Sequence, residues 1–207
     1  MVLKWTEKDR AMGKIFFIMG KSATGKDTIF EQLIENEDLN LKTVIGYTTR
    51  PIRQGEVEGK EYHFVSENRL EQLKGEGRVI EYRAYNTIHG IWYYFTVDDG
   101  QIDLSKGNYI YIGTLESYEQ VVKYFGQQQV VPIYIEVENG IRLERALKRE
   151  KKQELPKYAE MCRRFLADED DFKEENIRLA GIKKRYYNIE FEQCLNEIIE
   201  DVKVNLS

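Results

Sequence analysis

Hydrophobic positions change period several times along this chain, and each change marks an element. Ile15–Met19 ("IFFIM") is a continuous apolar run of strand length, as in a strand covered on both faces. After a glycine-rich stretch, Ile29, Phe30, Leu33 and Ile34 recur at helical spacing, so the local order is strand, loop, helix. Strand-like runs return at Thr43–Tyr47, Asn108–Gly113 and Val130–Val137, with a short candidate near Tyr186. Leu115, Tyr118, Val121, Val122 and Phe125 form an apolar helical stripe that Gly126 ends. Strands alternating with helices predict an α/β fold, a doubly wound parallel sheet. Pro132 suits the beginning of a strand and argues against a central position for its run. From Glu61 to Val97 the texture differs, with short aromatic, alternating runs ("EYHFV", "VIEYRAY", "IWYYFTV") that predict a small inserted antiparallel subdomain. The tail from Tyr186 predicts a last short strand and a packing helix.

Composition narrows the function classes. With 207 residues, 42% of them hydrophobic, the chain can bury the core of one domain. A formal net charge of −5 argues against general nucleic-acid binding, so any phosphate chemistry must come from local basic clusters. No run has the length of a membrane span or of a signal-peptide core. Cys162 and Cys194 sit in helical segments without paired spacing, and read as buried free thiols in a reducing, cytoplasmic setting.

Two clusters carry chemistry. The first is "GKSATGKDT", Gly20 to Thr28, which fits the phosphate-loop pattern G-x-x-x-x-G-K-[ST] except at Asp27, where a hydroxyl residue is expected. In such a loop Gly20 and Gly25 let the backbone of Lys21, Ser22, Ala23 and Thr24 approach phosphate oxygens. The helix N-terminus adds positive potential, and Lys26 reaches the terminal phosphates. Asp27 lacks the hydroxyl but offers a hard oxygen ligand for magnesium, directly or through water. The second cluster, Tyr47 to Phe64, gathers Thr48, Thr49, Arg50, Arg53 and Lys60 around two glycines. That composition suits either a grip on a phosphate monoester or a solvated basic loop.

Together these residues resemble the guanylate kinase family: the first cluster is similar to its phosphate loop, and "TTRPIRQGEVEGKEYHF" to its T-T-R-x-x-R-x-G-E-x-x-G-x-D-Y-x-F signature. The resemblance implies transfer of the ATP terminal phosphate to GMP with magnesium. It also implies a core at about 12–45, 98–140 and 166–207, a nucleotide-monophosphate-binding insert at about 46–97, and a helical lid at about 141–165. Arg50, Arg53 and Tyr62 would hold the acceptor phosphate, and Glu81 the guanine. On spacing alone Glu81 reads as an exposed residue of an alternating strand. Asn188 resembles a position near the donor adenine. No membrane or nucleic-acid partner is implied, and a monomer or homodimer is expected.

Arg142, Arg145 and Arg149, with Arg163 and Arg164 on a second helix beginning near Pro156, correspond to the lid. Of these, Arg145, Arg149 and Arg164, together with Lys26, are the candidates for stabilising the transferring phosphoryl group. The alternative is a surface helix pairing its arginines with Glu144 and Glu150. Departures from the family pattern are Gly46 for a base-reading serine, Gly113, Thr114 and Leu115 where acidic residues are usual, and His89 and Ile91 in place of a tyrosine and a hydroxyl residue. His89 is a candidate acceptor contact. Two further functions stay open: a kinase for another small phosphate ester such as ribose bisphosphate, and a non-catalytic phospho-ligand-binding module.

Overall fold

The computed structural model describes residues 12–53, 55–87 and 90–206. The chain runs through β1 (Ile15–Met19), α1 (Lys26–Glu35), β2 (Leu41–Thr43), β3 (Tyr47–Thr48), β4 (His63–Phe64), α2 (Glu67–Gly75), β5 (Val79–Thr87) and β6 (Gly90–Val97). It continues with β7 (Asn108–Ile112), α3 (Leu115–Phe125), β8 (Val130–Glu136), α4 (Asn139–Glu150), α5 (Tyr158–Asp171), α6 (Glu174–Leu179), β9 (Tyr186–Tyr187) and α7 (Phe191–Leu206).

A five-stranded parallel sheet in the order β2-β7-β1-β8-β9 forms the centre. Strand β1 lies between β7 and β8, and all five of its residues are fully buried. The period-2 alternation of a strand explains why its run is apolar throughout. Ile15, Phe17 and Met19 point to one face, against Leu115, Tyr118 and Val121 of α3. Phe16 and Ile18 point to the other, against Ile29 and Leu33 of α1 and Leu195, Ile198 and Val202 of α7. Each such fully buried side chain contributes about 1.5–3 kcal/mol.

The second sheet, in the order β4-β3-β6-β5, is the inserted unit; β3–β6 and β5–β6 are antiparallel, whereas β3–β4 is parallel. Its helix α2 was not evident in the run pattern. The signal was there, since the Ser66 hydroxyl accepts from the Arg69 N–H at 3.2 Å and Leu70 and Leu73 bury at helical spacing.

Several expectations need correction. The Thr43–Tyr47 run is not one strand: Thr43 ends β2 in the central sheet and Tyr47 opens β3 in the inserted one. Pro132 sits inside β8, between β1 and β9 in the sheet. It loses no ladder bond there. Gln129 accepts from Ile15 and Glu136 from Asn188, so by alternation Pro132 turns its nitrogen towards the β9 side, and β9 begins only opposite Ile135. Cys194 is buried but Cys162 is exposed, because α5 buries none of its residues fully. Among the described residues no helix is long and apolar enough to cross a membrane.

Candidate active site

The parallel strands β1, β7 and β8 end on the same side of the sheet, and the segments that follow their carboxyl ends build a cleft there, as open α/β sheets do. After β1 the chain turns through Gly20 to Gly25 into α1. A side chain at Gly20 would place its Cβ 2.5 Å from the Ile135 carbonyl. Gly25 has φ +85°, and a Cβ there would meet the Asn188 amide at 2.4 Å. Ala23 holds a left-handed conformation, φ 65°, that costs a non-glycine residue free energy and recurs at functional loops. No side chain caps the start of α1, so its first N–H groups face the cleft. The Lys26 ammonium makes no hydrogen bond to a described residue, and its nearest carboxylate is Asp27 at 3.9 Å. The Asp27 side chain is 75% exposed and accepts no hydrogen bond from a described residue, and Thr28 is exposed beside it. Asp27 is thus a single free hard ligand. Among the described residues no group of three or more His, Cys, Asp or Glu is placed to hold a metal.

The loop is braced from two directions. Asn188, 3% exposed, donates its amide to the Thr24 carbonyl at 2.8 Å, while its side-chain oxygen is buried without a partner. The Thr24 hydroxyl in turn donates to the Lys21 carbonyl at 2.9 Å. On the other side, α5 sends two carboxylates into the loop: Asp168 accepts from the Ser22 N–H at 2.7 Å and Glu169 from the Lys21 ammonium at 2.7 Å. Arg142 joins them. It is 1% exposed and donates to the Ser22 carbonyl at 3.0 Å, to Asp168 and Glu169 at 2.9 Å each, and to Asn139 at 2.7 Å. Burial pushes the Glu169 carboxyl up, but the bonds from Lys21, Asn139 and Arg142 prevail and hold it below the usual range. Sequence spacing pointed to Arg142 only as one of a set of lid arginines; its place as the buried centre of this clasp depends on α5.

The other lid arginines divide. Arg149 and Arg164 line one small cavity of about 110 Å³ together with Ser22, Arg142, Lys157 and Glu160, so two of the candidates do converge on the phosphate loop. Arg164 is also held by Glu160 at 2.9 Å, the type of surface pairing weighed as the alternative, and Arg163 is held by the same carboxylate at 2.7 Å. Arg145 reaches elsewhere, donating to the Asn188 carbonyl at 3.0 Å and so tying α4 to the end of β9.

The second cluster lies on the inserted sheet and the loop beside it. Arg50 is 4% exposed and clasps Glu56 with two 2.6 Å bonds, while its remaining donors reach the Tyr94 hydroxyl at 3.1 Å and the Pro51 carbonyl at 3.0 Å. It lies over the rings of Tyr62 and Phe64, 5.4 and 5.3 Å from their centroids. These bonds leave a single Nη2 hydrogen of Arg50 unused. The Arg50 hydrogen bond drives the Glu56 carboxyl down to about 2. Arg53 is exposed and its guanidinium makes no hydrogen bond to a described residue; its backbone N–H donates to Glu56 at 2.8 Å. The half-buried Tyr62 ring packs edge-on against Tyr94, and burial raises its phenol pKa. His63 turns away to Glu58 at 2.9 Å, and His89 lies outside the described residues.

Glu81 is not the exposed residue that strand alternation suggested. It is 1% exposed, and its Oε1 accepts from the Thr96 hydroxyl at 2.9 Å and from the Tyr111 hydroxyl at 2.7 Å. Its Oε2 accepts from Arg83 Nε at 3.2 Å. Tyr111 comes from β7 of the central sheet, so this carboxylate joins the insert to the core. Glu116, in the first turn of α3, is an acidic group that the sequence reading passed over; burial raises its carboxyl, and the charge of Arg83 partly offsets that rise.

The family model described as guanylate kinase matches residues 12–176. The guanylate kinase of Mycoplasma mobile is 30% identical over 210 aligned positions, covering 92% of this chain and 90% of its own. The chain belongs to the guanylate kinase family. Other members match more locally: the Malacoplasma penetrans guanylate kinase is 40% identical over 79 residues, so that the aligned part of the chain spans 40% of that relative's length. A crystal structure of guanylate kinase from Anaplasma phagocytophilum superposes with a TM-score of 0.60 over 93% of this chain and 86% of its own at 20% identity, a likeness of fold. Within the family, the departures now have positions. A Cβ at Gly46 would lie 3.5 Å from the Tyr62 ring, an ordinary contact, so the fold has room for a serine there. Gly113 has none, since a Cβ would meet the Ser117 hydroxyl at 2.5 Å and the Phe17 ring at 2.7 Å.

Proposed function

We propose that this protein is an ATP-dependent nucleoside monophosphate kinase that converts GMP and ATP to GDP and ADP. The observation that carries the reading is the juxtaposition of an uncapped phosphate-loop helix, and of a Lys26 ammonium with no hydrogen bond to a described residue, with a cavity that Arg149 and Arg164 share with Ser22. Loop N–H groups and Lys26 hold the donor phosphates, and Asn188 serves the donor side by bracing the loop at the Thr24 carbonyl. Asp27 would hold the magnesium ion that accompanies ATP, directly or through water. Magnesium, when bound with ATP, neutralises phosphate charge.

Across the cleft, Arg53, the Tyr62 hydroxyl and the spare hydrogen of Arg50 hold the acceptor phosphate. Arg50 acts chiefly as the post on which the loop is built, because Glu56 and Tyr94 consume most of its donors. An acceptor phosphate oxygen is already anionic, so no general base is needed. The protein's task is to align the two phosphates, oppose their charge with arginines and exclude water. The test is chromatographic detection of ADP and diphosphate products from magnesium-ATP with GMP, dGMP, AMP, UMP, CMP and ribose bisphosphate offered separately. Selective GDP formation is the expected result. Turnover of ribose bisphosphate alone, or ATP binding without transfer to any acceptor, would overturn it.

A further inference from the structure

We propose that Gln120 is a positioning residue for the acceptor nucleotide: its side-chain amide clips the inserted sheet to α3 and sets the angle at which that sheet carries Arg50, Arg53 and Tyr62. The inference rests on the guanylate kinase reading and deepens it. Strand β5 is an edge of the inserted sheet, paired with β6 on one side only. At such an edge every second residue turns both its N–H and its carbonyl outward, unpaired. Tyr82 is one of these residues, and Gln120 takes the place of a neighbouring strand. The Gln120 Oε1 accepts from the Tyr82 N–H at 3.1 Å, and the Gln120 Nε2 donates to the Tyr82 carbonyl at 3.3 Å. An amide side chain offers a donor and an acceptor together, the same pair that a backbone would present.

One turn further along α3, the Tyr124 hydroxyl donates to Asp98 at 2.8 Å. Asp98 directly follows β6, and its N–H donates to the carbonyl of Arg78, the residue before β5. Gln120 and Tyr124 are four residues apart and share one helix face, so α3 grips the root of the β5–β6 hairpin at two points. Two points define a line: they stop the sheet from sliding along the helix and leave rotation about it. The register shift at Ile80 lies on the same line. Val79 packs with Leu70 and Leu73 of the insert, whereas Ile80 is buried with Leu115 and Tyr118 of the central core. The bonds of Gln101 to Ile45 and of Tyr47 to Asp99 join the two chain crossings to each other rather than to a helix of the core.

The acceptor cluster belongs to the opposite edge. In the order β4-β3-β6-β5, Arg50 follows β3 and Tyr62 precedes β4. Three strand spacings, ~14 Å, separate β4 from β5, so each degree of rotation about the α3 line moves the cluster by about 0.25 Å. Slack at the clip is therefore amplified at the phosphate. A loosened sheet spends less time at the productive angle, and the apparent affinity for the acceptor falls by that fraction. The donor side is anchored through other residues and does not share the loss.

The experiment measures kcat and the separate KM values for GMP and ATP in the unmodified protein, Gln120→Met and Tyr124→Phe, each well below its unfolding temperature. Methionine keeps the length of the side chain and leaves the backbone groups of the exposed Tyr82 to water, so the fold persists. Gln120→Met should raise the KM for GMP about tenfold, the factor that one to two net hydrogen bonds are worth, with kcat and the KM for ATP within about twofold of the unmodified values. Tyr124→Phe should raise the KM for GMP by a smaller factor, because it removes one bond of the line instead of two. Equal losses for GMP and ATP would show that Gln120 only supports the fold, and would overturn the assignment. An unchanged KM for GMP in folded Gln120→Met, or a fall in kcat alone, would overturn it as well, leaving the guanylate kinase reading in place. Failure of the unmodified protein to form GDP would remove both.

Discussion

Replacing Arg142 by methionine removes the centre of the clasp between α4, α5 and the phosphate loop while keeping a side chain of similar length. The magnitude follows from burial. An exposed ion pair is worth about 0.2–1 kcal/mol, whereas removing one partner of a fully buried pair costs about 3–5 kcal/mol. Arg142 is at the buried limit with side-chain exposure of 1%, while Asp168 at 16% and Glu169 at 35% can recover part of their hydration. The Ser22 carbonyl also loses its donor. These considerations place the loss near 3 kcal/mol, which for a domain of this size lowers Tm by about 6–12 °C. Thermal unfolding followed by circular dichroism measures it, alongside the KM for ATP, which should rise because Ser22 is no longer fixed from both sides. Arg142→Lys should recover about 1 kcal/mol, since one ammonium cannot reach all four acceptors with the geometry of a planar fork. A methionine variant within ~1 kcal/mol of the unmodified protein would refute the reasoning, as it would mean that water satisfies the carboxylates and the carbonyl equally well.

Three other outcomes are expected. Gly25→Ala should abolish measurable ATP binding and destabilise the fold by at least about 1–3 kcal/mol, because φ +85° and the Asn188 amide at 2.4 Å both exclude a Cβ; isothermal titration and thermal unfolding check it. Asp27→Ala should raise the magnesium concentration needed for half-maximal turnover, and unaltered magnesium dependence would remove Asp27 as a ligand. The Glu56 carboxyl falls from 4.5 to about 2 on folding, so the Arg50 clasp contributes fully above pH 4.5 and is lost as the pH drops towards 2. Glu56→Gln should therefore flatten the dependence of Tm on pH across that acidic window, and an unchanged slope would show that the clasp does not contribute.

What the chain determined by itself is the set of local decisions. A five-residue apolar run can be satisfied only between two layers, and β1 is buried on both faces. The stripe from Leu115 to Phe125 forms α3 with those bounds, capped by Thr114 and ended at Gly126, because cap and glycine act within one turn. The phosphate loop was legible because its glycines, Lys26 and Asp27 fall within one nine-residue stretch, although Asn188, Asp168 and Arg142 brace it from far along the chain. The tertiary structure decided whatever needs two distant segments to meet. Apolarity alone could not divide Thr43 to Tyr47 between two sheets, since both accept β-branched and aromatic residues. Strand alternation could not tell that Glu81 is buried, because the Tyr111 hydroxyl that helps hold its charge comes from β7, thirty residues on. The ranking of the lid arginines likewise waited on α5 and β9: helical spacing makes Arg142, Arg145 and Arg149 equivalent, and burial separates them. Arg142 enters the clasp, Arg145 is tied to Asn188, and Arg149 is left to line the cleft. A charged side chain takes its role from what removes its water, and for these residues that is a segment far along the chain.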